Sequence, residues 1–138
     1  MSELKIFLVE DDDDHAEIVE FSLEKTGGAS VIHRACEGEE ALNLLDKIAS
    51  AEAEKPGLIM LDINIPRISG LELLVKIKAM PTLYNVPVIA FTTSNSDRDK
   101  KEAYEKHVNS YLVKPTAFEE FGQQIASMVK YWGTYNCV

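Results

Sequence analysis

The sequence is poor in the features that mark several large protein classes. Cysteine is scarce: Cys36 and Cys137 are the only two in 138 residues. Two thiols and no export signal make no disulfide framework, so both are expected as reduced thiols in the cytoplasm. No apolar run approaches the ~20 residues of a membrane-spanning helix. Met1-Ser2-Glu3-Leu4-Lys5 has neither the basic nor the long apolar region of a signal peptide. Basic residues are outnumbered, 14 Lys and Arg against 23 Asp and Glu, for a formal net charge of −9. Nucleic acids and anionic membranes both select for the opposite sign, so neither is an expected partner. A Gly-rich phosphate loop ending in Gly-Lys-Ser/Thr is also missing, which removes that route to nucleotide hydrolysis. Length sets a last limit. A domain typically takes ~100–150 residues, so residues 1–138 are expected to form one domain, with no room for an output domain of ~60 residues.

What is present is an alternation of short apolar runs and longer amphipathic stretches. Ile6-Phe7-Leu8-Val9, Val31-Ile32, Leu58-Ile59-Met60-Leu61, Val86 to Phe91 and Tyr111-Leu112-Val113 are the runs. Continuous apolar strands suit a sheet covered on both faces, which is the mark of parallel sheets. Between them, Ala41, Leu44, Leu45 and Ile48 follow helical spacing, as do Phe118, Phe121, Ile125, Met128 and Trp132. Ser69-Gly70-Leu71-Glu72 reads as a capping box opening a helix from Leu71 to Met80, which Pro81 ends. Asp13 or Asp14 can cap the helix that carries Ile18, Val19, Phe21 and Leu23, and Gly27-Gly28 stops it. Asp97 to His107 is a polar, weakly patterned helix. The βα unit therefore repeats five times. Right-handed crossovers make this an α/β, doubly wound, five-stranded parallel sheet flanked by five helices. The flavodoxin-like strand order 2-1-3-4-5 is the prior for this size.

The strand ends carry the chemistry. Ligands of such sheets bind at the carboxyl ends of the strands. There the sequence places Glu10-Asp11, Asp62, Thr92 and Lys114 after strands one, three, four and five. Three carboxylates and one ammonium leave a net charge of −2 on one edge. Like charges ~4 Å apart repel by several kcal/mol at a surface-like dielectric. A protonated carboxyl or a divalent cation relieves that. Oxygen ligands without Cys or His point to Mg²⁺, which uses one or two carboxylates, several waters and a phosphate. Such a set, with a lysine and a threonine beside it, is shaped for phosphoryl transfer. A carboxylate can itself be the nucleophile, and Asp62 on the central strand is the candidate. Asn64 can offer its backbone carbonyl to the metal. Each element alone has a plainer reading: the Asp11 to Asp14 run as a solvated helix N-terminus, Lys114-Pro115 as a strand end. Joint placement at four strand ends is what argues against accident.

These residues resemble the receiver domains of two-component response regulators, the CheY-like family. The resemblance runs through Ile6 to Asp11, Leu58 to Pro66, Gly70-Leu71-Glu72, Pro87 to Thr92 and Tyr111 to Pro115, and covers essentially the whole chain. The spacings of 30 residues from Asp62 to Thr92 and 52 to Lys114 agree with it. A narrower stretch-by-stretch resemblance, in Leu61 to Arg67, Phe91 to Ser94, His107 to Leu112 and Tyr131-Trp132, is to the regulators that serve bacterial phytochrome kinases. The resemblance implies that Asp62 accepts a phosphoryl group from a histidine kinase or phosphotransfer protein. Glu10 (through water), Asp11, Asp62 and Asn64 would hold Mg²⁺. Thr92 and Lys114 would bind phosphoryl oxygens. Thr92 and Tyr111 would be the switch, and Lys114-Pro115 a cis peptide. Such a protein is a phosphoacceptor that assists its own phosphorylation and dephosphorylation, not an enzyme with a separate substrate. Many receivers have Gly-Ala where this chain has His107-Val108. The run Asp12-Asp13-Asp14 is more acidic than usual, so Asp12 competes with Asp11 as a ligand.

Phosphorylation adds ~ −1.5 to −2 charge and new acceptor oxygens. The expected output is a changed surface, read by another protein or by a second copy. Most of the C-terminal stripe reads as core, Phe118 included. His107, Tyr111, Phe118, Tyr131 and Trp132, with Tyr135 beyond, mark an interface for a homodimer through helix four, strand five and helix five. Two other readings are weighed. A haloacid-dehalogenase-like phosphatase expects an Asp two residues after the nucleophile, where Asn64 stands. A receiver-like module that is never phosphorylated is opposed by the intact Glu10, Asp11, Asp62, Thr92 and Lys114.

Overall fold

The computed structural model describes residues 3–135, the side chain of Tyr135 excepted; Cys137 lies outside the described residues. The elements run β1 (Leu4–Val9), α1 (Asp13–Thr26), β2 (Ala29–Ala35), α2 (Gly38–Ala49), β3 (Leu58–Leu61), α3 (Gly70–Ala79), β4 (Val88–Thr92), α4 (Asp97–Glu105), β5 (Ser110–Val113) and α5 (Phe118–Lys130), then a π-helical turn, Tyr131–Tyr135. All strand pairs are parallel, in the order β2-β1-β3-β4-β5. This is the doubly wound, flavodoxin-like sheet expected from the alternation of runs. No helix among the described residues is long and apolar enough to cross a membrane.

Side chains along a strand alternate between the two faces of a sheet, and the core divides accordingly. Phe7, Val9, Ile59, Leu61, Val88 and Ala90 pack with Leu45, Leu73, Leu74 and Ile77 on the α2–α3 side. Ile6, Leu8, Leu58, Met60, Ile89 and Phe91 pack with Val19, Leu23, Phe121 and Ile125 on the α1–α5 side. Every residue of β3 and β4 is buried, which explains why those runs show no polar alternation.

Several local expectations are corrected. α1 is capped by Asp12, not Asp13 or Asp14: its carboxylate accepts from Asp14 N at 2.9 Å and His15 N at 3.1 Å. The cap falls there because Asp12 keeps an extended backbone as the chain leaves β1. Gly27, at φ 76°, ends the helix as read from the sequence. Phe118 is not core. As the first residue of α5 it lies ahead of the buried stripe, 56% exposed, with its ring 6.1 Å from that of Phe21. Trp132 is not free at the helix end either. It is half-buried against the α1–α5 core, edge-on to the exposed Tyr131. No cis peptide occurs among the described residues, so Lys114–Pro115 is trans, the isomer favoured for X–Pro by about 0.5–1 kcal/mol. His107 has φ 72°. That left-handed backbone is the one glycine adopts freely, which gives a physical reason for the glycine common at this place in similar domains.

Candidate functional site

Register builds the site. The last pair of β1 and β3 is Val9 with Leu61, so Glu10 and Asp62 leave the sheet side by side. Thr92 pairs with Val113, and Lys114 N continues the ladder with a 2.7 Å bond to Thr92 O. Alternation then sorts the side chains. Glu10 follows Ile6 and Leu8, Asp62 follows Leu58 and Met60, and Lys114 follows Leu112, so all three fall on the α1–α5 side. Thr92 follows Val88 and Ala90 and belongs to the other side, where Tyr111 also packs.

Four polar residues of this edge are buried: Glu10 at 1% exposure, Asp62 at 6%, Lys114 at 6% and Thr92 at 0%. A buried charge needs partners, and Lys114 supplies them. Its Nζ donates to Glu10 Oε1, to Asp62 Oδ2 at 2.9 Å, and to His15 Nδ1 at 3.0 Å. Burial raises the carboxyl of Glu10 from the usual 4.5 to about 7, outweighing the attraction of Lys114, and the nearby charge of Asp62 adds to the rise. Arg34 of β2 steadies this corner from outside, with Nη2 donating at 2.9 Å to both Glu10 O and Asp13 Oδ1.

Glu10, Asp11 and Asp62 each present a carboxylate oxygen, all within 4.8 Å of one another. Three hard oxygen donors carrying excess negative charge fit a divalent cation of the Mg²⁺ or Mn²⁺ kind. Asp12 is not part of that cluster; its Oδ1 caps α1 instead. Asn64 sits directly over the nucleophile candidate: its N–H donates to Asp62 Oδ1 at 3.0 Å and its Nδ2 approaches Thr92 Oγ1 at 3.4 Å. The loop after Asp62 is held by Gly70, whose N–H donates to Ile63 O. A Cβ there would lie 2.4 Å from Ile63 Cα and 2.5 Å from Asp62 O, so only glycine fits.

The other side of the edge is a chain of hydroxyls. Ser94 N donates to Thr92 Oγ1 at 3.4 Å, Ser94 Oγ to Asp99 Oδ2 at 2.6 Å, and Tyr111 OH to Ser94 O at 3.0 Å. The β4–α4 loop is thereby tied to both α4 and β5. Burial raises the Tyr111 hydroxyl above its usual value, against the effect of its bond to Ser94.

The interface candidates divide. His107 is exposed after α4, and Tyr131 and Trp132 border a groove of about 610 Å³ with Leu112, Gln124 and Met128. Phe118 instead lines a second groove, between α1 and α5, with Phe21. Sequence reading missed two site residues. Asp99 carried no signal beyond being one acid in a polar helix. His15 had one: it is the third residue of α1, and helical side chains lean toward the N-terminus, hence back over the strand edge.

The model of the response regulator receiver domain matches residues 6–126. The probable methanogenesis regulatory protein FilR2 of Methanothrix harundinacea is 36% identical over 131 residues, 95% of this chain and 84% of its own. Response regulator Rcp1 of Synechocystis sp. is 31% identical over 92% of this chain and 87% of its own. A crystal structure of the phosphorylated cyanobacterial phytochrome response regulator RcpA superposes with a TM-score of 0.91 at 32% identity, covering 99% of this chain and 98% of that one. A Mn²⁺-bound structure of Rcp1 superposes at 0.87 with 30% identity and covers 98% of both chains. The sequence match extends from β1 into α5 and takes in Glu10, Asp11, Asp62, Thr92 and Lys114. The chain belongs to the response regulator receiver family.

Proposed function

We propose that Asp62 is the phosphoacceptor of this receiver and that Glu10, Asp11, Asp62 and the Asn64 carbonyl hold the Mg²⁺ it requires. The observation that carries the reading is the buried contact of Asp62 with Lys114 Nζ at 2.9 Å, beside a cluster of three carboxylates. The bound cation supplies positive charge against the phosphoryl oxygens. The rest falls to the chain. Asp62 Oδ attacks phosphorus of a phosphohistidine on a histidine kinase or phosphotransfer protein. The O–P bond forms as the P–N bond breaks, and its electron pair returns to the imidazole. Lys114 turns from the carboxylate to a phosphoryl oxygen, and the Thr92 hydroxyl donates to another. The first replaces the charge-assisted bond that Lys114 makes to the free carboxylate, and the second is new.

Thr92 and Tyr111 share the opposite face, so a shift of Thr92 toward the phosphoryl group pulls on Ser94 and releases or re-seats Tyr111. Phosphorylation then favours one arrangement of the β4–α4 loop over another, a population shift read at the surface. The kinase is proposed to be a phytochrome, on the likeness to RcpA. The output is proposed to be a homodimer through α4, β5 and α5, where His107, Tyr131 and Trp132 stand beside the exposed sheet edge of β5. The site is proposed to be cytoplasmic, with protein partners only. Incubation with acetyl phosphate and Mg²⁺ is expected to add one phosphoryl group to the wild type and none to Asp62→Asn. Equal labelling of both would overturn the assignment, as would steady turnover of a phosphomonoester. Sedimentation with and without beryllofluoride tests the dimer; a monomer in both conditions would refute it.

A further inference from the structure

We propose that His15 is a positioning residue for Lys114, holding the ammonium beside Asp62 through a ring Nδ1 that carries no proton. The inference rests on the assignment of Asp62 and Lys114 above. An ammonium has three N–H donors and no acceptor. Two donors go to Glu10 and Asp62, and the third meets His15 Nδ1 at 3.0 Å. That contact is a hydrogen bond only if Nδ1 offers its lone pair, which places the ring proton on Nε2. The side chain of Lys114 is 2% exposed, which leaves little water to take the place of the ring.

His15 differs in kind from the other two partners. Glu10 and Asp62 belong to the acidic cluster that suits a cation, and Asp62 changes again on phosphorylation. His15 stands on α1, outside that cluster, and nothing in the chemistry calls it away. It is the partner that stays with Lys114 throughout. The ring is fixed for this. The backbone N–H of His15 is held by the capping carboxylate of Asp12 at 3.1 Å, which sets where the side chain leaves α1. The ring also rests 5.9 Å from Phe121 of α5, which meets Phe91 edge-on at 5.0 Å. Lysine has a long, flexible stem; a third tether from a wedged ring confines Nζ to the place from which it reaches the acceptor.

The test uses the full chain with acetyl phosphate and Mg²⁺. His15→Leu, which keeps bulk and removes the acceptor, is expected to slow phosphorylation about tenfold, the factor carried by one charge-assisted hydrogen bond. His15→Asn, whose carboxamide oxygen can take the place of Nδ1, is expected to recover to within about twofold of wild type. A structural role against Phe121 would not be rescued by Asn. Independently, ¹⁵N spectra of the imidazole at neutral pH in chelator are expected to show the Nε2–H tautomer. A wild-type rate in His15→Leu, a rate for His15→Asn as low as that of Leu, or an Nδ1–H or doubly protonated ring would each overturn the proposal. If His15→Leu does not fold, the tautomer and His15→Asn decide. A wild-type protein that takes no label would instead overturn the phosphoacceptor reading, and the tautomer would still decide whether His15 holds Lys114.

Discussion

The buried carboxyl of Glu10 makes the stability of this protein depend on pH in a direction opposite to ordinary acid denaturation. Its value rises from 4.5 in the unfolded chain to about 7 in the fold, chiefly through burial. Between those values the folded state holds a proton that the unfolded state has released, so stability falls as pH rises. The stabilisation is fully present below pH 4.5 and is gone above about 7. At ~1.4 kcal/mol per pH unit, the loss from this one group is about 3 kcal/mol. Divalent cation reverses the sign, because it binds the ionised carboxylates and stabilises the fold by mass action. Urea unfolding in chelator, at intervals from pH 4.5 to 8, measures the effect against Glu10→Gln, which has no proton to lose. The two proteins are expected to be nearly equal at pH 4.5. At pH 8 the Gln variant should be more stable by about 3 kcal/mol in chelator, and that advantage should shrink or invert in millimolar Mg²⁺. A difference between the two proteins that does not change with pH would refute the reasoning.

Three further outcomes follow from the same edge. Asp62→Asn keeps an acceptor for Lys114 while removing the charge that helps to raise Glu10, so at pH 8 in chelator it should be more stable than wild type by about 1 kcal/mol; a lower melting temperature would contradict this. Lys114→Ala strands two buried carboxylates and should cost about 3–5 kcal/mol in chelator, largely recovered by Mg²⁺, while uncoupling any dimerisation signal from phosphorylation; an unchanged melting temperature in chelator would refute it. Gly70→Ala forces a methyl into the backbone at Ile63 and Asp62 and should cost more than about 2 kcal/mol together with acceptance of phosphate from acetyl phosphate; wild-type behaviour in both assays would show that the loop yields.

How much of this could be seen without coordinates depends on where each signal resides. β3 and β4 are covered on both faces, and their runs stand out as uninterrupted apolar residues. β2 runs for seven residues, yet only Val31-Ile32 was visible in the sequence. It is an edge strand with five half-buried positions, and an edge tolerates His33 and Arg34. Helical period found Phe121, Ile125 and Met128, all buried. It also swept in Phe118, because a periodic stripe carries no information on where a helix begins. The cap of α1 lay hidden among four consecutive aspartates, since only the backbone leaving β1 decides which of them turns back. Glu10, Asp62 and Lys114 were legible because sheet topology alone brings strand ends together. His15 and Asp99 were not, because their roles exist only in tertiary contacts, one across α1 to Lys114 and the other across the β4–α4 loop to Ser94.

The two-residue period of the strands also separates the proposed phosphoacceptor from the proposed switch. Glu10, Asp62 and Lys114 fall on the α1–α5 side of the sheet, whereas Thr92 and Tyr111 fall on the other. A charge placed on Asp62 is therefore met by Lys114 on its own side, where the response is electrostatic and local. Thr92 is fully buried and stands one position beyond Phe91 on β4. It reaches Asp62 only over the rim of the sheet, where the Asn64 amide bridges the gap at 3.4 Å. Any movement of Thr92 toward the rim drags Ser94, and Ser94 holds both Asp99 and Tyr111. The rim thus joins the acidic side to the α4–β5 surface by side-chain contacts, beside the backbone link from Lys114 N to Thr92 O. Asn64 stands at that rim and is exposed to solvent. Replacing it with a larger cation such as Arg should change how long the phosphoryl group persists more than how fast it arrives, because the side chain screens attacking water while the backbone N–H that reaches Asp62 is kept. Acetyl phosphate labelling followed by decay in excess chelator separates the two rates. A change confined to the labelling rate would mean that Asn64 acts on Asp62 and not on the rim.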